Sequence, residues 1–293
     1  MNTRHPAIAI LIALSLTAAE KVGELSLPEE GRRWWAHVEM MAKDELKGRD
    51  IGSEGYAIAA KYVATEFEKA GLKPGASATS YLQNVRFIQR QIDESKSSLA
   101  LIRDGKPEPL TLGEHANIGI RGAFASKLEA EMVFVGYGVK IPEANYDDLK
   151  DVDLKGKIAV YIAGQPAGIA APLASHYTSA GERNKALIAA GAVGAAAINN
   201  PRTSDIPWAR ATLARLSPAM TIDEKLPASD RLKLSITINP AHAAKFFAGS
   251  GHTFEELQSL AEQKKPIPHF PLSAKLSARA SFKKSKVASD NII

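Results

Sequence analysis

Four aspartates crowd the short stretch between Tyr146 and Asp153, namely Asp147, Asp148, Asp151 and Asp153. Clustered carboxylates suit a hard cation such as calcium. These lack the EF-hand spacing and its terminal glutamate, so they read as solvated turn residues. Just before them, Gly136-Tyr137-Gly138 holds two glycines of a dinucleotide-binding loop, but no third follows and no helix opens there. Lys157 is not preceded by the glycines of a phosphate loop. Ser175-His176 sets a hydroxyl beside an imidazole. Neighbours in sequence do not normally face each other, and no G-x-S-x-G elbow surrounds them. The histidines (His5, His37, His115, His176, His242, His252 and His269) are scattered, with no His-x-Asp, His-x-His or H-E-x-x-H spacing. There is no cysteine, which excludes disulfides, thiolate nucleophiles, cysteine-based zinc sites and a lipidated cysteine anchor.

The elements that would position such groups can be read from periodicity. Ser53 is a good N-cap for a helix whose apolar face runs through Tyr56, Ala59, Ala60, Val63, Phe67 and Ala70. Gly71 and Pro74 end it. Gly48, Gly52 and Gly55 precede it in a polar loop where positive φ is expected. From Leu27 to Lys47 the pattern is also helical, and Trp34, Trp35, Val38, Met41, Ala42 and Leu46 give it an apolar face wide enough to be buried on a neighbour. His37 reads there as a packed or solvated side chain.

Downstream the period changes. Tyr81–Ile102 is strand-like, and Asp104-Gly105 predicts a hairpin joining Ser98–Ile102 to Leu110–Leu112. Glu131–Val139 and Lys157–Ile162 are compact apolar strands. Ser179–Gly191 is a helix, followed by a small-residue strand over Ala192–Ile198. Leu232–Ile238 alternates strictly as a strand. Asn239-Pro240 starts a helix running to Phe247, and Thr253-Phe-Glu-Glu256 is a capping box for a helix to about Lys264. Pro266, Pro268 and Pro271 predict a stiff linker before the alternating Leu272–Phe282.

With 293 residues, 45% of them hydrophobic, the chain can bury more than one core. Its 37 basic and 32 acidic residues are interspersed, and the doublets Lys264-Lys265 and Lys283-Lys284 have few aromatics beside them. That excludes the basic stripe with stacking residues expected of a nucleic-acid binder. Met1–Ala19 reads as a secretory signal: Arg4 is its positive start, Ala7–Leu16 its apolar run and Thr17-Ala18-Ala19 its small-residue end. The run is short for the ~30 Å of a bilayer interior.

Two blocks carry a family resemblance. Leu46-x-Gly48-Arg49-x-x-Gly52-Ser53-x-Gly55, a helix, then Gly71-Leu72-x-Pro74 resembles the opening of zinc-dependent exopeptidases related to bacterial leucyl aminopeptidases and glutamate carboxypeptidase. Val133-Phe-Val-Gly-Tyr-Gly138, Tyr146-Asp-Asp148 and Asp153-x-x-Gly-Lys-Ile158 resemble, in order, the protease-associated domain inserted in many of them.

The resemblance implies an α/β fold made of an incomplete N-terminal part of the peptidase domain plus an inserted β-rich α+β domain. The implied limits are 1–19 signal, 20–123 N-terminal part with lead-in strands, 124–266 insert, and 267–293 a return strand into the peptidase domain. In that family the histidine, aspartate and glutamate ligands of two zinc ions follow an Asn-Val-x-Gly strand start. Here the corresponding run is Asn291-Ile292-Ile293, so no catalytic, cofactor or metal residue carries over. The parent would hold two zinc ions and act on peptide or protein substrates; this chain would hold none. The expected product is periplasmic or secreted, with no stable membrane anchor after signal cleavage and no nucleic-acid partner. The alternative reading is a non-catalytic protein- or peptide-binding module built on a protease-associated domain. A periplasmic solute-binding protein would require regular strand–helix alternation, which Leu99–Lys157 lacks.

Overall fold

The computed structural model describes residues 27–122, 124–201, 204–222 and 231–293. The expected signal, Met1–Ala19, lies outside them, and no described helix is long and apolar enough to cross a membrane. The chain divides into two compact units, residues 27–83 with Ile292–Ile293, and Asn84–Asn291.

The first unit contains α1 (Leu27–Met41), a 3-10 segment (Asp44–Arg49) and α2 (Glu54–Lys69). The sequence predicted one helix to Lys47. It stops at Met41 because Lys43 is extended and the chain then passes through left-handed Lys47 and Gly48. Ser53 caps α2 as expected, its Oγ accepting from the Tyr56 N–H at 3.1 Å. At the other end the Leu72 and Gly71 N–H groups donate to the Phe67 and Glu68 carbonyls, a Schellman closure that needs the positive φ of Gly71. Gly48 and Gly52 do adopt positive φ. Gly55 does not; it is already in α2, and close packing explains it. A Cβ there would lie 2.0 Å from the carbonyl oxygen of the buried Leu46. The expected burial of α1 is not found, for Trp34 and Trp35 are 63% and 53% exposed.

The remaining strands are β1 (Leu82–Ile92), β2 (Ser98–Arg103), β3 (Lys106–Leu110), β4 (Ala116–Ile118), β5 (Lys127–Val135), β6 (Lys140–Ile141), β7 (Tyr146–Asp147) and β8 (Ile158–Ile162). After them come α3 (Ala171–Thr178), α4 (Ala180–Ala189), β9 (Gly194–Ile198), α5 (Trp208–Ala211), β10 (Ala219–Ile222) and β11 (Leu234–Ile238). The chain closes with α6 (Ala243–Phe247), α7 (Phe254–Glu262), β12 (His269–Arg279) and β13 (Phe282–Ile292).

Eight strands form one mixed sheet in the order β3-β2-β12-β5-β8-β9-β11-β4. The four from β5 to β11 are parallel, and antiparallel pairs complete both sides. The central strands are apolar on both faces, as parallel strands covered twice must be. Met132, Phe134, Ile158, Val160 and Ile236 join Phe246, Phe247, Phe254 and Leu257 of α6 and α7 in one core. Val133, Val135, Ala159 and Ala195 face the other way, toward Leu187 of α4. A separate three-stranded sheet has the order β10-β1-β13.

The hairpin at Asp104-Gly105 forms, with both turn residues at positive φ, but its second strand is Lys106–Leu110 rather than the expected Leu110–Leu112, because pairing resumes directly after the two-residue turn. Its outer strand, β3, places Pro107 and Pro109 on the rim of the eight-stranded sheet, opposite Ile102 and Ala100. The capping box at Thr253 is complete. Pro271 is not in a linker: it sits in β12, at a register irregularity between Pro271 and Lys275, where a missing donor is tolerated. Because β12 lies between β2 and β5, the limits expected at 124 and 266 fall inside one hydrogen-bonded sheet. Spacing along the chain reveals strands but not which of them pair.

Candidate functional site

The parallel strands end in a row of loops, and ligands in open α/β sheets bind at the carboxyl ends of strands. After β5 comes Gly136-Tyr137-Gly138; after β8, Ala163-Gly164-Gln165; after β9, Asn200. Of these, Tyr137, Ala163, Gly164, Gln165 and Asn200, with Thr178 at the end of α3, Arg183 of α4, and Ala261 and Glu262 of α7, line a cleft of about 650 Å³.

Two buried charged residues hold its wall. Asp148 is 3% exposed, and its Oδ2 accepts from the Tyr137 and Val139 N–H groups at 3.1 and 3.2 Å. Its Oδ1 accepts from the Tyr146 hydroxyl at 2.6 Å and lies 3.5 Å from His269 Nε2. From the opposite side Arg183 Nε donates to the Tyr137 carbonyl at 3.1 Å, and Nη2 is 3.5 Å from the Gly164 carbonyl. The guanidinium carbon stands 4.5 Å from the Tyr161 ring centre. Tyr137 is therefore gripped at both its N–H and its carbonyl. Burial, and then the Asp148 charge, raises the phenol pKa of both Tyr137 and Tyr146, so each stays a neutral donor.

This arrangement explains the two glycines that the sequence left without a role. Gly136 and Gly138 both have positive φ, and a Cβ on Gly136 would sit 3.1 Å from Asp148 Oδ1. It also corrects the reading of the aspartates as solvated turn residues. Asp147 does cap a turn and pair with Lys140, and Asp153 does pair with Lys157, but Asp148 is an interior acceptor. Nothing in local spacing distinguishes it from Asp147; only the return of the chain past Tyr137 does. On the far side of Tyr137 a second recess of about 370 Å³ is lined by Tyr146, Asp148, Lys264 and His269, among others.

Of the scattered histidines, the fold brings two together. His115 and His242 have ring centres 4.6 Å apart, and with Glu114 they make the one group of three among the described residues with metal-type donor atoms in mutual reach. The donors do not fit a metal. His115 Nδ1 accepts the Thr111 backbone N–H at 2.9 Å, which commits its lone pair and leaves the proton on Nε2. The carbonyls of Glu114 and His115 accept from Asn239, whose side-chain oxygen in turn caps the Ala241 N–H. The cluster is a loop clasp. Elsewhere His37 meets Tyr62, His252 stacks on Phe270 beside Glu256, and Ser175 and His176 are exposed on α3.

Burial, followed by the Lys245 charge, lowers the His115 pKa below its ordinary 6.5. The unfolded chain then binds the proton more readily than the folded one. Stability is expected to hold above that ordinary value and to fall as pH drops through it toward the folded one. Urea melts of the parent and of His115→Gln across this window should show the parent's slope reduced in the variant. Identical slopes would refute the assignment.

These features define a mixed α/β unit with a cleft at the carboxyl ends of its parallel strands. No family model matches the chain, and no curated protein does. Among solved structures it is similar to an aminopeptidase from Aneurinibacillus sp. strain AM-1, at 15% identity and a TM-score of 0.40, covering 87% of this chain and 46% of that one. It is also similar to BSAP, a zinc aminopeptidase from Bacillus subtilis, at 14% identity and a TM-score of 0.37, covering 91% and 47%. The chain spans about half the length of these proteins.

Proposed function

We propose that the chain is a non-catalytic portion of an exported zinc-aminopeptidase-type exopeptidase acting on peptides, with the metal ligands supplied from outside these residues. The class rests on the sequence blocks Leu46–Pro74 and Val133–Ile158. The non-catalytic role rests on one observation, the commitment of His115 Nδ1 to the Thr111 N–H. A zinc ligand must offer a free lone pair, and this imidazole has none to give without breaking that bond. Two-zinc hydrolysis needs several such donors converging with a carboxylate that activates water. Glu114, His115 and His242 do not provide that set, so no catalytic step is assigned to them.

The test is direct. The purified 293-residue chain, dialysed against zinc, is expected to retain no stoichiometric metal and to leave a leucyl anilide uncleaved. Stoichiometric zinc that disappears in His115→Ala, together with turnover, would overturn this reading.

A further inference from the structure

We propose that the cleft at the carboxyl ends of β5, β8 and β9 binds a carboxylate, the C-terminal end of a peptide, with Arg183 as its anchor. Arg183 is 7% exposed. A charge removed from water to that degree is ordinarily paired. No carboxylate among the described residues forms an ion pair with it: its hydrogen bonds go to two backbone carbonyls, Tyr137 and Gly164. A guanidinium carries five N–H donors, so these two contacts leave capacity for a third acceptor. The side chain lines the cleft, and its guanidinium carbon stands over the Tyr161 ring. A planar fork held in place is the group that takes a carboxylate with paired hydrogen bonds.

The walls suit a peptide end. Gly164, at φ +153°, brings bare backbone to the wall, and a Cβ there would press on the Tyr137 ring at 3.2 Å. Ala163 and Ala261 offer apolar surface, while Gln165 and Thr178 add polar side chains to the lining. The volume, about 650 Å³, falls within the range of small-ligand sites and far exceeds what a single inorganic anion fills.

This inference does not depend on the enzyme class, since its readout is binding rather than metal content or turnover. Calorimetric titration of the full chain would use an N-acetylated tripeptide as free acid, the same tripeptide as C-terminal amide, acetate and inorganic phosphate. The free acid is expected to bind tighter than the amide by roughly tenfold or more, and tighter than either small anion. Arg183→Met should abolish that preference. Should this variant melt far below the parent, Gln165→Trp decides, because it obstructs the mouth without touching the anchor and should remove binding at an unchanged melting temperature. Equal affinity for acid and amide, no binding of either, or phosphate or acetate binding as well as the peptide acid would each overturn the proposal. So would a folded Arg183→Met that keeps the preference, or undiminished binding by Gln165→Trp.

Discussion

Asp148→Ala is expected to destabilise the Asn84–Asn291 unit by about 3–5 kcal/mol, since each buried donor left unmade costs roughly 1–3 kcal/mol. The substitution strands two backbone N–H groups, Tyr137 and Val139, and removes the acceptor of the Tyr146 hydroxyl. Asp148→Asn keeps an acceptor oxygen but turns an amide donor toward other donors, so it should fall between the two. Asp153 serves as the control. Its carboxylate is exposed and pairs only with nearby Lys155 and Lys157 groups, so its removal should change little. Urea unfolding followed by near-ultraviolet dichroism checks the order. Equal losses at positions 148 and 153 would contradict the interior role.

Gly55→Ala is the second large effect, and its sign discriminates. On helix propensity alone, alanine for glycine inside a helix gains about 1 kcal/mol. In this structure the new methyl carbon would lie 2.0 Å from Leu46 O and 2.9 Å from Leu46 Cα. Backbone cannot yield as a side-chain tip can, so the 3-10 segment and α2 must separate. Overpacking of this kind costs about 1–3 kcal/mol and sometimes more. Hydrogen exchange of the α2 amides should accelerate in the variant. Slower exchange would mean that propensity prevails and that the contact is unimportant.

These two positions show what sequence reasoning reached. Caps and stops were legible because they are local: Ser53, Gly71, Asn239 and Thr253 act on groups within a few residues of themselves. Within the large sheet, β2, β11 and β12 were legible from alternation and β5, β8 and β9 as compact apolar or small-residue runs, whereas the three-residue β4 left no signal. What alternation cannot reveal is partnership. The pairing of β12 with both β2 and β5 joins residues far apart in sequence, so the expected domain limits cut through the sheet. The cleft was hidden for the same reason. Arg183 sits in an ordinary helical first turn, and Asp148 in an ordinary polar turn; only the meeting of β5, β8 and α4 brings them to opposite sides of Tyr137.

The prolines of β3 bear on how this protein behaves when crowded. A strand on the rim of a sheet is a template for another molecule's strand, and unrestrained rims seed fibres. Pro107 and Pro109 remove two donors from that rim, and Lys106 and Glu108, each just before a proline, add opposite charges to it. At the other end of the eight strands, β4 spans only three residues, Ala116–Ile118. One border is chemically blunted and the other is too short to template, which makes the large sheet a poor nucleus for its own polymerisation.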